Sequence, residues 1–219
     1  MARYSMRLPE LNFPPRPLSS AEAARLPSFP GDFFTQDALT LGPRILGCGL
    51  LVRRTSSQYL LGQVVEVEAY LGNDDPASHS RSGPTRRNRP MFEAGGCCYV
   101  YLCYGMHYCM NLVTGPEGCG EALLLRAAAP LCGLKYMQAS RGTPRMGQLL
   151  NGPGKLTQGL GVDLSHNGRS FFGKELRLVD LGTRIAMSKV KRTPRIGISQ
   201  GEQLPYRFLI RGSPWCSQR

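Results

Sequence analysis

The segment VVEVEAYLG at 64–72 constrains this chain most. It alternates with the two-residue period of a half-buried strand. Val65, Val67, Ala69 and Leu71 fall on one face; Val64, Glu66, Glu68 and Tyr70 fall on the other. Carboxylates are depleted in strands, and like charges two residues apart on one face repel. Two arrangements satisfy the pattern. One is an edge strand whose charged face meets solvent. The other is a reactive carboxylate beside an aromatic stacking platform. Periodicity does not separate Glu66 from Glu68, since they share a face.

The chain has 219 residues, 42% of them hydrophobic, enough for one domain with its own core. Residues 21–219 are read as that domain, and the Pro-rich, Arg-dotted residues 1–20 as a flexible leader. There is no apolar run long enough to cross a membrane. The first residues lack the apolar core of a secretory signal, so an intracellular protein is expected. Eight cysteines include no C-x-x-C pair and sit mostly in apolar runs, so they read as buried thiols rather than disulfides or metal ligands. The formal charge is +12, and 22 of the 27 basic residues are Arg. Arg is the side chain suited to bidentate phosphate contact, which points to a polyanion, nucleic acid first.

Turn and periodicity signals give the rest of the chain. A short helix is expected at 20–26, and one capped by Thr35 running towards Leu46, bent at Gly42-Pro43. Strands at 50–54 and 59–71 form a hairpin. Residues 79–92 form a loop holding His79, Arg81, Arg86, Arg87 and Arg89, suited to phosphate. A second hairpin, at 99–113, turns at Tyr104-Gly105 and carries an aromatic tip. A strand at 121–128 isolates Arg126 among apolar residues, where it needs a carboxylate, Glu66 or Glu68. Pro130 is expected to open a helix. Gly152-Pro153-Gly154-Lys155 lacks the first glycine of a nucleotide-binding P-loop, since Leu149 stands there. It still opens a helix whose Gly154 and Lys155 suit an anion. Strands at 175–180 and 207–211 follow, with a basic run KVKRTPR between them. The sum is α+β: one domain, a mainly antiparallel sheet, flanking helices and a protruding hairpin.

No G-x-S-x-G nucleophile motif and no G-x-G-x-x-G after a strand occur. The assembled parts suit a protein that extrudes a base from a duplex, stacks on it and fills the gap. A carboxylate can activate water against a glycosidic bond, which breaks through an oxocarbenium-like state.

These motifs, together with HSR and RNR-x-MF, YVY and YGM, Gly-Pro-x-Lys-Leu at 152–156 and RGSPW at 211–215, resemble the alkyladenine (3-methyladenine) DNA glycosylase family. The resemblance runs from about Leu39 to the C-terminal end. It implies a monofunctional enzyme of base excision repair, without metal or cofactor, that acts as a monomer on double-stranded DNA containing damaged purines. Alkylated purines, hypoxanthine and ethenoadenine are the implied bases. The site would lie with the genome, in a nucleus or a bacterial nucleoid. The resemblance assigns Glu68 to water activation and Arg126 to the water and the phosphate of the flipped nucleotide. Tyr70, His79 and Tyr101 would sandwich the base, Asn111 would crowd the 2-amino group of guanine, and Ile196 would stand near the water. Tyr104 would wedge into the minor groove. No catalytic Lys is implied, hence no lyase step.

Overall fold

The computed structural model describes residues 16–217. Residues 1–15, most of the expected leader, lie outside the described residues. The end of that stretch is packed: the Leu18 N–H donates to the Leu131 carbonyl at 2.7 Å. Ser19 then caps helix α1 (Ser20–Ala24), its side chain exchanging hydrogen bonds with Glu22.

The second helix, α2 (Ala38–Arg44), is capped by Asp37 rather than Thr35; the Asp37 carboxylate accepts from the Thr40 N–H at 2.9 Å. Thr35 instead ends a 3₁₀ turn (Gly31–Thr35). Both residue types favour N-caps, and the carboxylate is the better partner for the helix dipole.

The strands are β1 (Gly49–Arg53), β2 (Tyr59–Leu71), β3 (Cys98–Cys103), β4 (His107–Thr114), β5 (Glu121–Cys132), β6 (Leu176–Val179), β7 (Val190–Thr193) and β8 (Arg207–Ile210). They form one antiparallel sheet in the order β3-β4-β5-β2-β1-β6, with β8 also on β2 and β7 on β8. Helix α3 (Leu134–Arg141) packs on α4 (Pro153–Leu160), and α4 on β4 and β5. This is the expected α+β architecture.

One alternative closes and one further expectation changes. β2 is not an edge strand: β5 lies on one side, and β1 and β8 share the other. Pro130 does not open a helix but lies within β5, beside a register shift that suits a residue with no N–H to give. Half of the basic run KVKRTPR is strand β7, a short exposed pairing whose charged side chains face solvent.

Two irregularities aim the centre of the sheet. Pairing steps from Val64↔Ala128 to Glu66↔Ala127, leaving Val65 extra on β2. It then steps to Val67↔Leu125, leaving Arg126 extra on β5. A bulged residue escapes the ladder and its side chain is re-aimed. The bulge thus turns Arg126 to the carboxylate face.

The main core joins α2 to the sheet through Leu41, Val65, Val67, Leu123 and Phe208. Gly42 permits close approach, because a Cβ there would stand 2.9 Å from the Phe208 ring. Phe208 is fully buried and anchors β8, the strand that carries Arg207. We expect Phe208→Ala to cost about 3–5 kcal/mol, read by urea denaturation. A loss below about 1 kcal/mol would show that β8 is held by other contacts.

Candidate functional site

The carboxylate face of β2 is buried. Glu66 and Glu68 are both fully inaccessible. Each is met by a different set of partners. Glu66 accepts from Arg126 Nε at 2.9 Å and Arg207 Nε at 2.7 Å. It also accepts from the Ser217 N–H at 2.6 Å and the Ser217 hydroxyl at 2.7 Å. Burial alone would raise its pKa, but these donors outweigh burial and hold it below the usual carboxylate value.

Glu68 accepts from Arg126 Nη1 at 3.2 Å, the Tyr70 hydroxyl at 3.1 Å and the Ile196 N–H at 2.8 Å. Here burial wins, and its pKa is raised. A carboxylate has about four acceptor directions. Three are occupied, which leaves one for a further donor. The structure therefore distinguishes what the strand pattern left equal: Glu66 holds four donors, among them two arginines, and Glu68 holds three with one arginine.

Tyr70, Arg126 and Ile196 all line a cavity of about 460 Å³. That size suits a small aromatic ligand. His79, Tyr99, Tyr101, Asn111 and Leu124 complete its walls. The His79 and Tyr101 rings meet edge-on, with centroids 4.6 Å apart. His79 Nδ1 lies 3.2 Å from the Tyr99 hydroxyl. Partial burial of the ring and the Arg87 charge lower the His79 pKa, which favours the neutral imidazole. The Asn111 amide, nearly buried, donates to the Tyr99 carbonyl at 3.0 Å. Every residue proposed from the sequence for base contact thus borders one cavity.

Tyr104 stands at the cavity rim on the β3–β4 turn and is 81% exposed. Its φ is 50°, the left-handed region, which among the described residues no other non-glycine occupies. An aromatic residue held there by the three-residue turn Tyr104–Met106 is disfavoured by sterics. Leu102 and Met106 beside it are also exposed, so the hairpin ends in an apolar, projecting tip.

The loop arginines divide. Arg87 lines the cavity and stacks over Tyr101, 5.5 Å from the ring centre. Arg86 and Arg89 line a separate cleft with Arg169. Arg81 reaches the Gln200 side chain at 3.0 Å. Lys155 is exposed and donates to Asn151 at 3.3 Å. Gly154 lies under the hairpin, where a Cβ would stand 2.9 Å from His107 Cβ. It therefore serves close packing of α4 on the hairpin, whatever its backbone also contacts.

Sequence reasoning missed several supports. Asn88 donates to the His79 carbonyl at 2.8 Å and to the Gly83 carbonyl at 3.1 Å, fixing the loop. Arg207 and Ser217 carried no signal beyond a basic strand and a terminal hydroxyl. Arg195, in the basic run, is buried. Among the described residues, no three His, Cys, Asp or Glu side chains gather in the manner of a metal site, and no helix is long and apolar enough to cross a membrane.

The model of the methylpurine-DNA glycosylase family matches residues 32–214. Relatives carrying the provisional name 3-methyladenine DNA glycosylase include one from Carboxydothermus hydrogenoformans. It is 42% identical over 190 residues, 87% of this chain and 98% of that protein. Another, from Methanoculleus marisnigri, is 44% identical over 194 residues, 88% of this chain and 100% of that protein. A third, from Chlorobium luteolum, is 44% identical over 187 residues, 85% and 94% of the two chains.

The carboxylate cluster makes a stability prediction. Glu66→Ala strands Arg126 and Arg207 as buried charges and is expected to cost about 3–5 kcal/mol in urea melts. The lowered Glu66 pKa adds a pH signature. Its contribution is present above the ordinary value of 4.5 and is lost as pH falls through the lowered folded value. A Glu66→Gln variant that matches the parent in stability at pH 7 would contradict this partition.

Proposed function

The chain belongs to the methylpurine-DNA glycosylase family, and on that premise we propose that it is a monofunctional glycosylase that flips damaged purines out of duplex DNA and hydrolyses their N-glycosidic bond. The observation that carries this reading is Glu68: a buried carboxylate set by three donors, one acceptor direction left, behind the wall of an aromatic cavity.

The proposed chemistry uses these groups directly. The flipped base stacks among Tyr70, His79 and Tyr101, which offer ring faces and a neutral imidazole at modest entropic cost. Asn111 is held by the Tyr99 carbonyl at 3.0 Å and limits what fits along that wall. The Glu68 carboxylate takes a proton from a water at its free acceptor direction. That water's oxygen forms a bond to the anomeric carbon. The bond to the purine nitrogen breaks with its electron pair leaving on the base. An alkylated purine departs with its positive charge neutralised; an uncharged purine leaves as an anion and takes up one proton, balanced by the proton that Glu68 took from the water. As positive charge grows on the sugar, the nearby carboxylate stabilises it. Arg126 offsets the charge of Glu68 and holds its orientation.

The Arg-rich loop, with Arg81, Arg86, Arg87 and Arg89, and Lys155 beside the start of α4 suit phosphates of the duplex. Tyr104 would fill the space vacated by the flipped base, wedged from the minor groove. Its strained, exposed position supports this role, since the fold gains little from it there. A substrate of genomic DNA assigns the work to the nucleus or the nucleoid, and the protein acts as a monomer.

Two experiments test the reading. Incubation with hypoxanthine- or ethenoadenine-containing duplex, followed by alkali, should produce breaks at the lesion, also in the presence of EDTA. Glu68→Gln should keep lesion binding while base release falls by about 100- to 10,000-fold. Its loss should also remove the acid limb of the rate. Because burial raises the Glu68 pKa, that limb lies above the ordinary carboxylate value, and the rate drops as pH falls through it. Unchanged excision by Glu68→Gln would end the assignment. Tyr104→Ser should weaken the preference for lesion over plain duplex with no loss of thermal stability; an unaltered preference would remove the wedge.

A further inference from the structure

Arg195 is one of the least accessible charged residues of the protein, and its side chain is fully buried. It lies just before Ile196, on the connection from β7 to β8. Its guanidinium grips Asp75 with both terminal nitrogens: Nη2 donates to Oδ1 at 2.7 Å, and Nη1 to Oδ2. Nη1 also donates to the Ala69 carbonyl on β2 at 2.9 Å. The same guanidinium stacks on the Tyr70 ring at 4.6 Å and on the Tyr206 ring at 5.4 Å.

Asp75 is fixed in turn. Its carboxylate accepts from the Leu71 N–H at 3.1 Å and the Ala77 N–H at 3.0 Å. It therefore shapes the turn that leaves β2 and leads to His79. The pair joins two segments that have no strand pairing with each other: the turn after β2 and the connection after β7.

One of those segments supplies the Ile196 N–H to Glu68, and the other continues from the end of β2, where Tyr70 gives its hydroxyl. Arg195 stacks on the Tyr70 ring and immediately precedes Ile196, so it adjoins both donors. Arg195 itself makes no hydrogen bond to Glu68. Only Arg126 reaches the carboxylate by an independent route, from the β5 bulge.

We infer that Arg195, locked by Asp75, is a positioning residue that sets Tyr70 and Ile196 against Glu68 and so fixes the line of attack on the glycosidic bond. The inference rests on the glycosylase reading of Glu68 given above. A buried ion pair is weak evidence for stability, because apolar residues of similar volume serve a core as well. What apolar residues cannot supply is a planar fork that grips a carboxylate, bonds a carbonyl and stacks on two rings at once. Lysine keeps the charge and loses that geometry.

The test compares full-length wild type, Arg195→Lys and Tyr206→Leu. Tyr206 lies outside the cavity, and its removal loosens the guanidinium without touching Glu68. Three readouts are taken: thermal melting, Kd for a duplex carrying a tetrahydrofuran abasic-site mimic, and the single-turnover rate of hypoxanthine release. A misplacement of reacting groups by about 1 Å costs on the order of 100-fold in rate. Arg195→Lys should lose that much in rate while Kd stays within about 3-fold, and Tyr206→Leu should lose about 5- to 10-fold with the same unchanged Kd. If Arg195→Lys does not fold, the Tyr206→Leu split decides alone. Rates at the wild-type level in the folded variants, or rate and Kd worsening in parallel, overturn the inference. A wild-type protein that releases no base is the separate outcome that overturns the glycosylase reading, and this inference with it.

Discussion

Two carboxylates from one strand survive inside this protein because guanidinium groups from both neighbouring strands meet them. Arg126 comes from β5 and Arg207 from β8. Without them, Glu66 and Glu68 would be like charges in a low-dielectric interior, and each would shed its charge by protonation. The partners are not shared equally. Glu66 takes both arginines and Ser217, and its pKa falls. Glu68 has a single ion pair and two weaker donors, and its pKa rises. The same local sequence, Glu-x-Glu, thus yields one anchor and one group left with unmet acceptor capacity. Environment makes the division, and the strand alone does not.

The sheet is bent to deliver that environment. The edge of β2 that pairs with β1 up to Gln63 is handed to β8 from Glu66 onward. The handover brings Arg207 opposite Glu68, within reach of Glu66 on the diagonal. On the other edge, the extra residue Arg126 interrupts the β5 ladder at the level of the carboxylates. Bulges cost ladder hydrogen bonds, and here they point charge at charge. The site then hangs from the C-terminal half of β2. The turn holding Asp75 and the connection holding Ile196 close over it from two directions.

Much of this was legible in the sequence where local physics governs. The period-two pattern gave β2, and the lone Arg of an apolar strand called for a carboxylate, which it has. The tip of the second hairpin read as projecting and aromatic, as the exposed Tyr104 is, with Met106 exposed beside it. What was illegible depends on partners distant in sequence. Arg195 sits in KVKRTPR and looks like any phosphate-seeking Arg, yet it is sealed beneath Tyr70. Asp75 lies in a run of turn formers and carries no mark of burial. Pro130 is a good first residue of a helix by local preference, but the pairing of β5 with β2 outweighs that preference through Cys132. The bulge at Val65 cannot be seen in an alternation that runs unbroken through it.

The inference from charge composition needs the same distinction between inside and surface. An excess of +12 would say little about a partner if much of it were buried. Among the described residues, the buried charged groups are Glu66, Glu68, Asp75, Arg126, Arg195 and Arg207, three of each sign. They pair with one another and cancel. The interior therefore removes equal numbers of acids and bases, and among the described residues the basic excess lies outside the buried core. Arg81, Arg86, Arg87 and Arg89 are all exposed, on the loop that also holds His79 at the cavity mouth. A field of that sign around an aromatic cavity favours the approach of a polyanion to the cavity mouth. The neutral core and the basic surface are thus two sides of a single arrangement, in which buried arginines hold buried carboxylates and exposed ones carry net positive charge around the cavity.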